Sequence, residues 1–279
     1  MSDLDPSVLA DIRRAAFELR LTDPNEAVRV LRRAAAQGGA AEVLARGALG
    51  EIYLEEFGDL DGAEHEFRAV LRAVPDLPAA EVGLARVLHE SGDRQGELAA
   101  LGRAIAGLSR DVEGFRERKA AGEPLPAGAE EVVLTLLEVA TARASLDPGT
   151  SLDEDLLRWA AEERLFDALR EEEATLREEE PRLREEEPGL REEDAEPQED
   201  WVRFHSSWAR LRQLTGRAAA AAQTLADAEA AGQLSARDAA ALRHEALEAA
   251  GDKTGASAES KRLEALEAAT ELVPLGVKN

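Results

Sequence analysis

The stretch that decides the fold is residues 49–75, LGEIYLEEFGDLDGAEHEFRAVLRAVP, and a related stretch follows at 84–108, LARVLHESGDRQGELAALGRAIAGL. Gly58-Asp59 in the first recurs thirty-four residues later as Gly92-Asp93 in the second. Each Gly-Asp pair lies between two segments whose apolar residues have helical spacing. A sequence period of this length predicts a repeated pair of helices.

The repeat alternates small and large apolar residues for a packing reason. Ala and Gly at a helix crossing let two helices approach closely, and large side chains fill the space beside them. One helix pair cannot bury its own apolar face, so successive pairs must stack. We therefore interpret the large residues of the repeat as core and not as ligand contacts; they are Tyr53, Phe67, Leu84 and Leu88.

The order of these residues resembles the tetratricopeptide repeat (TPR). Residues 49–53 match the large, small and aromatic positions of helix A, the first helix of each hairpin, while residues 63–67 and Pro75 match helix B and its end. The resemblance covers about residues 6–108 and is strongest over 41–108. It implies an all-α fold, an α-solenoid of antiparallel helix hairpins.

The third repeat departs from the family pattern at two positions. Glu97 stands where the family has a small residue, and Ser109 stands where it has proline. The first strong repeat also carries one extra residue before Gly58.

Four regions are predicted from the rest of the chain. We expect TPR-like repeats over 1–109, then a helical extension over 110–180 that includes a short helix at 111–121 and ends in a long helix. An acidic linker follows over 181–200, because Pro181 and Pro188 interrupt its Arg-Glu-Glu-Glu heptads. Helical hairpins without the TPR motif occupy 201–279. Their first helix (199–214) carries an apolar stripe interpreted as core, and their last is predicted at 257–272; the stripe is Trp201, Phe204, Trp208 and Leu211.

Composition and charge exclude several classes of protein. There is no cysteine, so disulfides, thiol catalysis and iron–sulfur clusters are excluded. The net charge of −24 would repel duplex DNA and anionic membranes, and residues 171–200 hold 15 acids against 4 arginines. No apolar run approaches the ~20 residues of a membrane span. We expect a cytoplasmic protein that binds neither nucleic acid nor membrane.

The sequence carries no recognisable catalytic constellation. It lacks the glycine-rich phosphate-binding motifs and the nucleophile motif G-x-S-x-G, and its four histidines do not stand in zinc-site frames. The prediction is a protein that is not an enzyme and that has no cofactor or metal.

The candidate site follows from the resemblance, in which helix A lines the concave face. The face carries both positive and negative residues, which suits a peptide or helix with charges of both signs. An unoccupied, solvent-filled groove explains the same polar residues equally well. The register also places Phe17, Leu21, Leu44 and Gly47 on this face. The face does not match the carboxylate clamp of chaperone-binding TPRs, because Gly47 and Val82 stand where that clamp has Lys and Phe17 stands where it has Asn. The candidate partner-binding residues are Arg13, Arg20, Glu51, Leu54, Glu55, Arg86, His89 and Glu90.

The sequence predicts a non-catalytic protein–protein interaction module, an adaptor, chaperone or regulatory subunit that binds a partner protein or peptide through its TPR-like surface. One alternative is an acidic mimic or inhibitor that uses 171–200 to occupy a basic site. Another is a self-assembling structural protein, for which the partner is a further copy of the chain.

Overall fold

The structure is a computed structural model that describes residues 5–150, 152–162 and 199–271. All regular secondary structure in these ranges is helical, which confirms the predicted all-α class built from packed helix hairpins. The chain divides into two compact units, Met1–Asp111 and Val112–Asn279. The glutamate heptads and most of the predicted linker lie outside the described residues.

Unit 1 is a stack of helix hairpins joined by short connections. Each first helix packs on the helix that follows it, and α4 also packs on α6. Contacts between α6 and α7 include hydrogen bonds from Arg103 to Glu81. The helices are α1 (Pro6–Arg14), a π-helical turn (Ala15–Leu19), α2 (Arg20–Thr22), α3 (Pro24–Ala35), α4 (Gly39–Glu55), α5 (Leu60–Ala73), α6 (Pro78–Ser91) and α7 (Arg94–Ala120).

The Gly-Asp pairs make the turns inside two of these hairpins. Gly58 and Gly92 have positive φ angles of 60° and 78°, which glycine adopts at little cost. Asp59 then caps α5 by accepting from the backbone N–H of Gly62, at 3.0 Å. The first turn is longer by one residue: the N–H of Asp59 reaches back to the carbonyl of Tyr53, whereas in the second repeat Asp93 bonds to Leu88. The extra residue predicted before Gly58 is thereby confirmed.

Stacking of the hairpins depends on one aromatic ring between two glycines. Phe67 on α5 is only 2% exposed. A Cβ added to Gly50 of α4 would lie 2.8 Å from Phe67 Cε1, and one added to Gly83 of α6 would lie 2.4 Å from it. The ring therefore packs against helix A of its own hairpin and helix A of the next.

The third hairpin differs from the sequence expectation. The predicted short helix at 111–121 does not exist as a separate element, because α7 continues through Ser109 to Ala120. Without proline at 109 nothing stops the helix until Gly122, whose φ is 75°. Glu97, at the position that is small in the family, is buried, and its Oε1 lies 3.0 Å from His89 Nδ1.

Unit 2 is a second set of packed helices. Phe204, Trp208 and Leu211 are buried, which confirms that this part of the apolar stripe is core; the side chain of Trp201 lies outside the described residues. Consecutive helices from α10 onward pack on one another, and α10 also packs on α8. The helices are α8 (Ala129–Leu146), α9 (Glu154–Glu162), α10 (Glu199–Leu214), α11 (Ala218–Ala230), α12 (Ala236–Ala249) and α13 (Lys253–Glu271).

The turn between α12 and α13 has the same chemistry as the turns of unit 1. Gly251 has a φ of 77°, and Asp252 Oδ1 accepts from the N–H of Gly255 at 2.9 Å. The last helix consequently begins at Lys253, four residues before the predicted start. The sequence Gly251-Asp252-x-x-Gly255 repeats the turn residues Gly58-Asp59-x-x-Gly62 of unit 1, although this hairpin lacks the large flanking residues of the TPR motif.

Candidate functional site

The candidate site is one side of unit 1, formed by helix A of three successive hairpins. We call it the helix-A surface. The residues placed on it are Arg13, Phe17, Arg20 and Leu21 from α1, the π-helical turn and α2; Leu44, Gly47, Glu51, Leu54 and Glu55 from α4; and Arg86, His89 and Glu90 from α6.

An ionic network joins the three helices across this surface. Arg20 Nε donates to Glu56 Oε1 at 2.7 Å, and its Nη2 pairs with Glu55. From the other side, Arg86 donates to Glu51 Oε2 at 2.6 Å and also to Glu55. Glu55 is therefore shared by two arginines, and the hydrogen bond from Arg86 lowers the pKa of Glu55 below its ordinary value.

Four of the eight predicted site residues are thus bound to one another. Arg20, Glu51, Glu55 and Arg86 satisfy most of their charge within unit 1. Exposed ion pairs of this kind contribute little stability one by one, but each fixes the position of a neighbouring helix. The network ties helix A of each hairpin to the next, which leaves little unbalanced charge here for a partner.

The other four predicted residues have different surroundings. His89 pairs with Glu97 of α7, and Leu54 is half-buried. Arg13 and Glu90 are exposed, and among the described residues neither makes an ion pair. They are the charges on this surface that remain open to a partner.

The large apolar side chains are the unexpected feature of the surface. Phe17 is 73% exposed, Leu21 is 76% exposed and Leu44 is 45% exposed. Phe17 lies within the π-helical turn, a distortion that is frequent at functional sites. The register places all three residues on this face, yet Leu54 is the one apolar residue of the predicted site. The signal that could have added Phe17 and Leu21 is their i, i+4 spacing opposite the buried Ile12.

The helix-A surface has open space beside its residues on α1 and on α4. A depression of about 490 Å³ runs along α1, lined by Pro6, Leu9, Ala10, Arg13 and Phe17 among others. On α4, a Cβ added to Gly47 would meet no atom within 4 Å. A side chain from another molecule could occupy this space without displacing the fold.

Unit 2 has a cavity of its own between α10 and α11. It measures about 580 Å³ and its lining includes His205, Arg212 and Asp227. Burial lowers the pKa of His205 to about 4, so this side chain is neutral near pH 7. Asp227 Oδ1 accepts from Gln223 Nε2 at 2.8 Å, and Arg212 donates to the carbonyl of Ala220 at 3.1 Å. The bond from Arg212 joins α10 to α11, whereas the bond between Gln223 and Asp227 lies within α11.

The described residues contain no group of three or more His, Asp or Glu side chains placed to hold a metal ion. In the same part of the chain, no helix combines the length and the apolar character that crossing a membrane requires.

Comparison with known proteins gives a likeness in structure but none in sequence. No protein-family model matches the chain, and no curated protein matches it. The chain is similar to a solved structure described as "Assembly Chaperone of RpL4 (Acl4) (Residues 1-338)", with 20% sequence identity and a TM-score of 0.44 over 91% of this chain and 100% of that chain. Values this low identify neither a shared family nor a shared function, and the likeness to TPR proteins remains a resemblance.

Proposed function

We propose that this chain is a non-catalytic protein-interaction module that binds a partner protein through the helix-A surface. It belongs with adaptors, chaperones and regulatory subunits in this respect, and we place its action in the cytoplasm. Its candidate contact residues are those of the helix-A surface, and Phe17 and Leu21 of the first hairpin are the main apolar contacts we propose.

The exposure of Phe17 and Leu21 is the observation that supports this proposal most directly. Each side chain leaves about three-quarters of its surface in water, although Val8 and Ile12 of the preceding helix α1 are buried in the core. Exposed apolar side chains grouped on one face are characteristic of interaction sites. Burying them against a partner would contribute about 25 cal/mol for each Å² removed from water.

A paired substitution tests the proposal. The full chain and its F17S/L21S variant are immobilised and exposed to lysate from the native source. The matched control is F57S/V74S, which removes two apolar side chains that are exposed elsewhere in unit 1. We expect one partner to be retained by the wild type and by the control and lost with F17S/L21S. Equal retention by all three proteins would refute the proposal.

A further inference from the structure

The chemistry of the helix-A surface limits what its partner can be. We infer that the occupant is an amphipathic helix of the partner protein, with large apolar side chains along one face and a carboxylate among them that pairs with Arg13. This inference rests on the proposed function and adds the class of partner to it.

Most charges along the middle of the helix-A surface are already paired within unit 1. Because Glu51 and Glu55 are already paired with Arg86 and Arg20, a strongly charged partner would find few unbalanced groups along the middle of the surface. Contact there must come mainly from apolar side chains. Binding should therefore change little between low and high salt, unlike binding to a strip of glutamates.

The spacing of the apolar residues indicates a helix as the occupant. Phe17 and Leu21 are four residues apart, and Leu44 stands on the parallel helix α4. Side chains one turn apart on a helix form a ridge, and such a ridge packs into a groove on the surface of another helix. Recognition of a helix in such a groove uses apolar anchors at i, i+3 or i+4, and i+7.

The positions of Arg13 and Gly47 indicate where a carboxylate of the partner would lie. The Arg20–Glu55 bridge sets the register of the two helices; Arg13 lies about two turns before Arg20, and Gly47 lies two turns before Glu55. Arg13 therefore stands at about the same height along its helix as the open position at Gly47 does along α4. A carboxylate on the apolar face of a docked helix would reach this guanidinium, and a charge-assisted hydrogen bond there would strengthen binding about tenfold.

Selection from a display library of random 18-residue peptides tests the inference on the full chain. The wild type should enrich sequences with apolar residues at helical spacing and an Asp or Glu between them. G47Q fills the open space and should abolish this enrichment. The matched control is G114Q, since Gly114 is another helical glycine at which an added Cβ meets nothing within 4 Å, and it should behave like the wild type. R13E should exchange the enriched carboxylate for Lys or Arg.

Three results would overturn the inference: no enrichment, enriched sequences without helical spacing, or the same enrichment on G47Q as on the wild type. If the lysate experiment still shows a partner that depends on Phe17 and Leu21, the inference fails alone and the proposed function stands. If that partner is also absent, both fail.

Discussion

The contact between Phe67 and Gly83 gives the sharpest prediction about the fold. In G83A the new Cβ would lie 2.4 Å from Phe67 Cε1 and 2.5 Å from Cζ. Real carbon–carbon contacts are about 3.5–4.0 Å, so the ring must move by about 1 Å. Phe67 is 2% exposed and cannot turn into solvent. The helices α5 and α6 must therefore separate.

The expected size of the effect follows from two opposed contributions. Overpacking a close-packed core costs about 1–3 kcal/mol. Replacing glycine by alanine inside a helix stabilises it by about 0.5–1 kcal/mol. G83A should therefore lower the free energy of unfolding of unit 1 by about 1–2 kcal/mol. G47A, where nothing opposes the added methyl group, should raise it by about 0.5–1 kcal/mol.

Hydrogen exchange measured by mass spectrometry at increasing urea concentration suits this comparison. All three tryptophans lie after residue 111, so intrinsic tryptophan fluorescence would report on unit 2. Exchange in peptides from 41–108 follows the stacked hairpins directly. Adding F67L to G83A removes ring atoms, so the double variant should be more stable than the sum of the two single effects by about 0.5–3 kcal/mol. Equal stability of G83A and G47A would refute the packing described for Phe67.

Three further predictions concern other parts of the chain. R103M should destabilise unit 1 by about 1–3 kcal/mol in urea unfolding, because it leaves the buried Glu81 carboxylate without its half-exposed arginine partner. In H205Q the pH dependence of unfolding should be shallower by about 1.4 kcal/mol per pH unit between pH 6.5 and 4. The reason is that burial lowers the folded pKa of His205 from 6.5 to about 4, so its contribution is present above pH 6.5 and is lost as the pH falls. Deletion of 171–200 should leave partner binding unchanged in a titration, since we propose that the helix-A surface, and not this segment, binds the partner.

Each of these predictions has a matched control or a contradicting result. Replacing both Glu81 and Arg103 by methionine should recover most of the stability lost in R103M; a double variant as unstable as the single one would contradict the assigned ion pair. Wild type and H205Q with parallel pH profiles would show that His205 is not held neutral. Loss of binding on deletion of 171–200 would favour the acidic mimic instead. Light scattering separates the third alternative, because a self-assembling protein would change mass with concentration.

Local chemistry explains which parts of the fold were predictable. A glycine with positive φ followed by an Asp cap fixes a turn within five residues, so the hairpins at Gly58 and Gly92 could be predicted from the sequence. The same signal at Gly251-Asp252 was present but lacked the flanking large residues of the motif. The continuation of α7 past Ser109 was missed because the loss of a periodic pattern is not a helix stop.

The sequence predicts which residues share one face of unit 1 but not how those residues pair with one another. The register placed Arg20, Glu55 and Arg86 on one face, yet their mutual pairing depends on the offset between neighbouring helices, which local sequence does not encode. The π-helical turn at Ala15–Leu19 has no distinct sequence signature, and it carries the exposed Phe17. Most of the residues chosen for the candidate site are charged groups that are paired within unit 1, while Phe17, Leu21 and Leu44, which the register places on the same face, were not among them.

Site-specific photo-crosslinking in the native cell tests the central proposal most directly. A photoreactive phenylalanine analogue is placed at position 17, or at position 33 on the exposed side of α3 as the control. We expect one crosslinked protein of defined mass from position 17 and no such product from position 33. Equal crosslinking from the two positions, or a product from position 33 alone, would contradict the account.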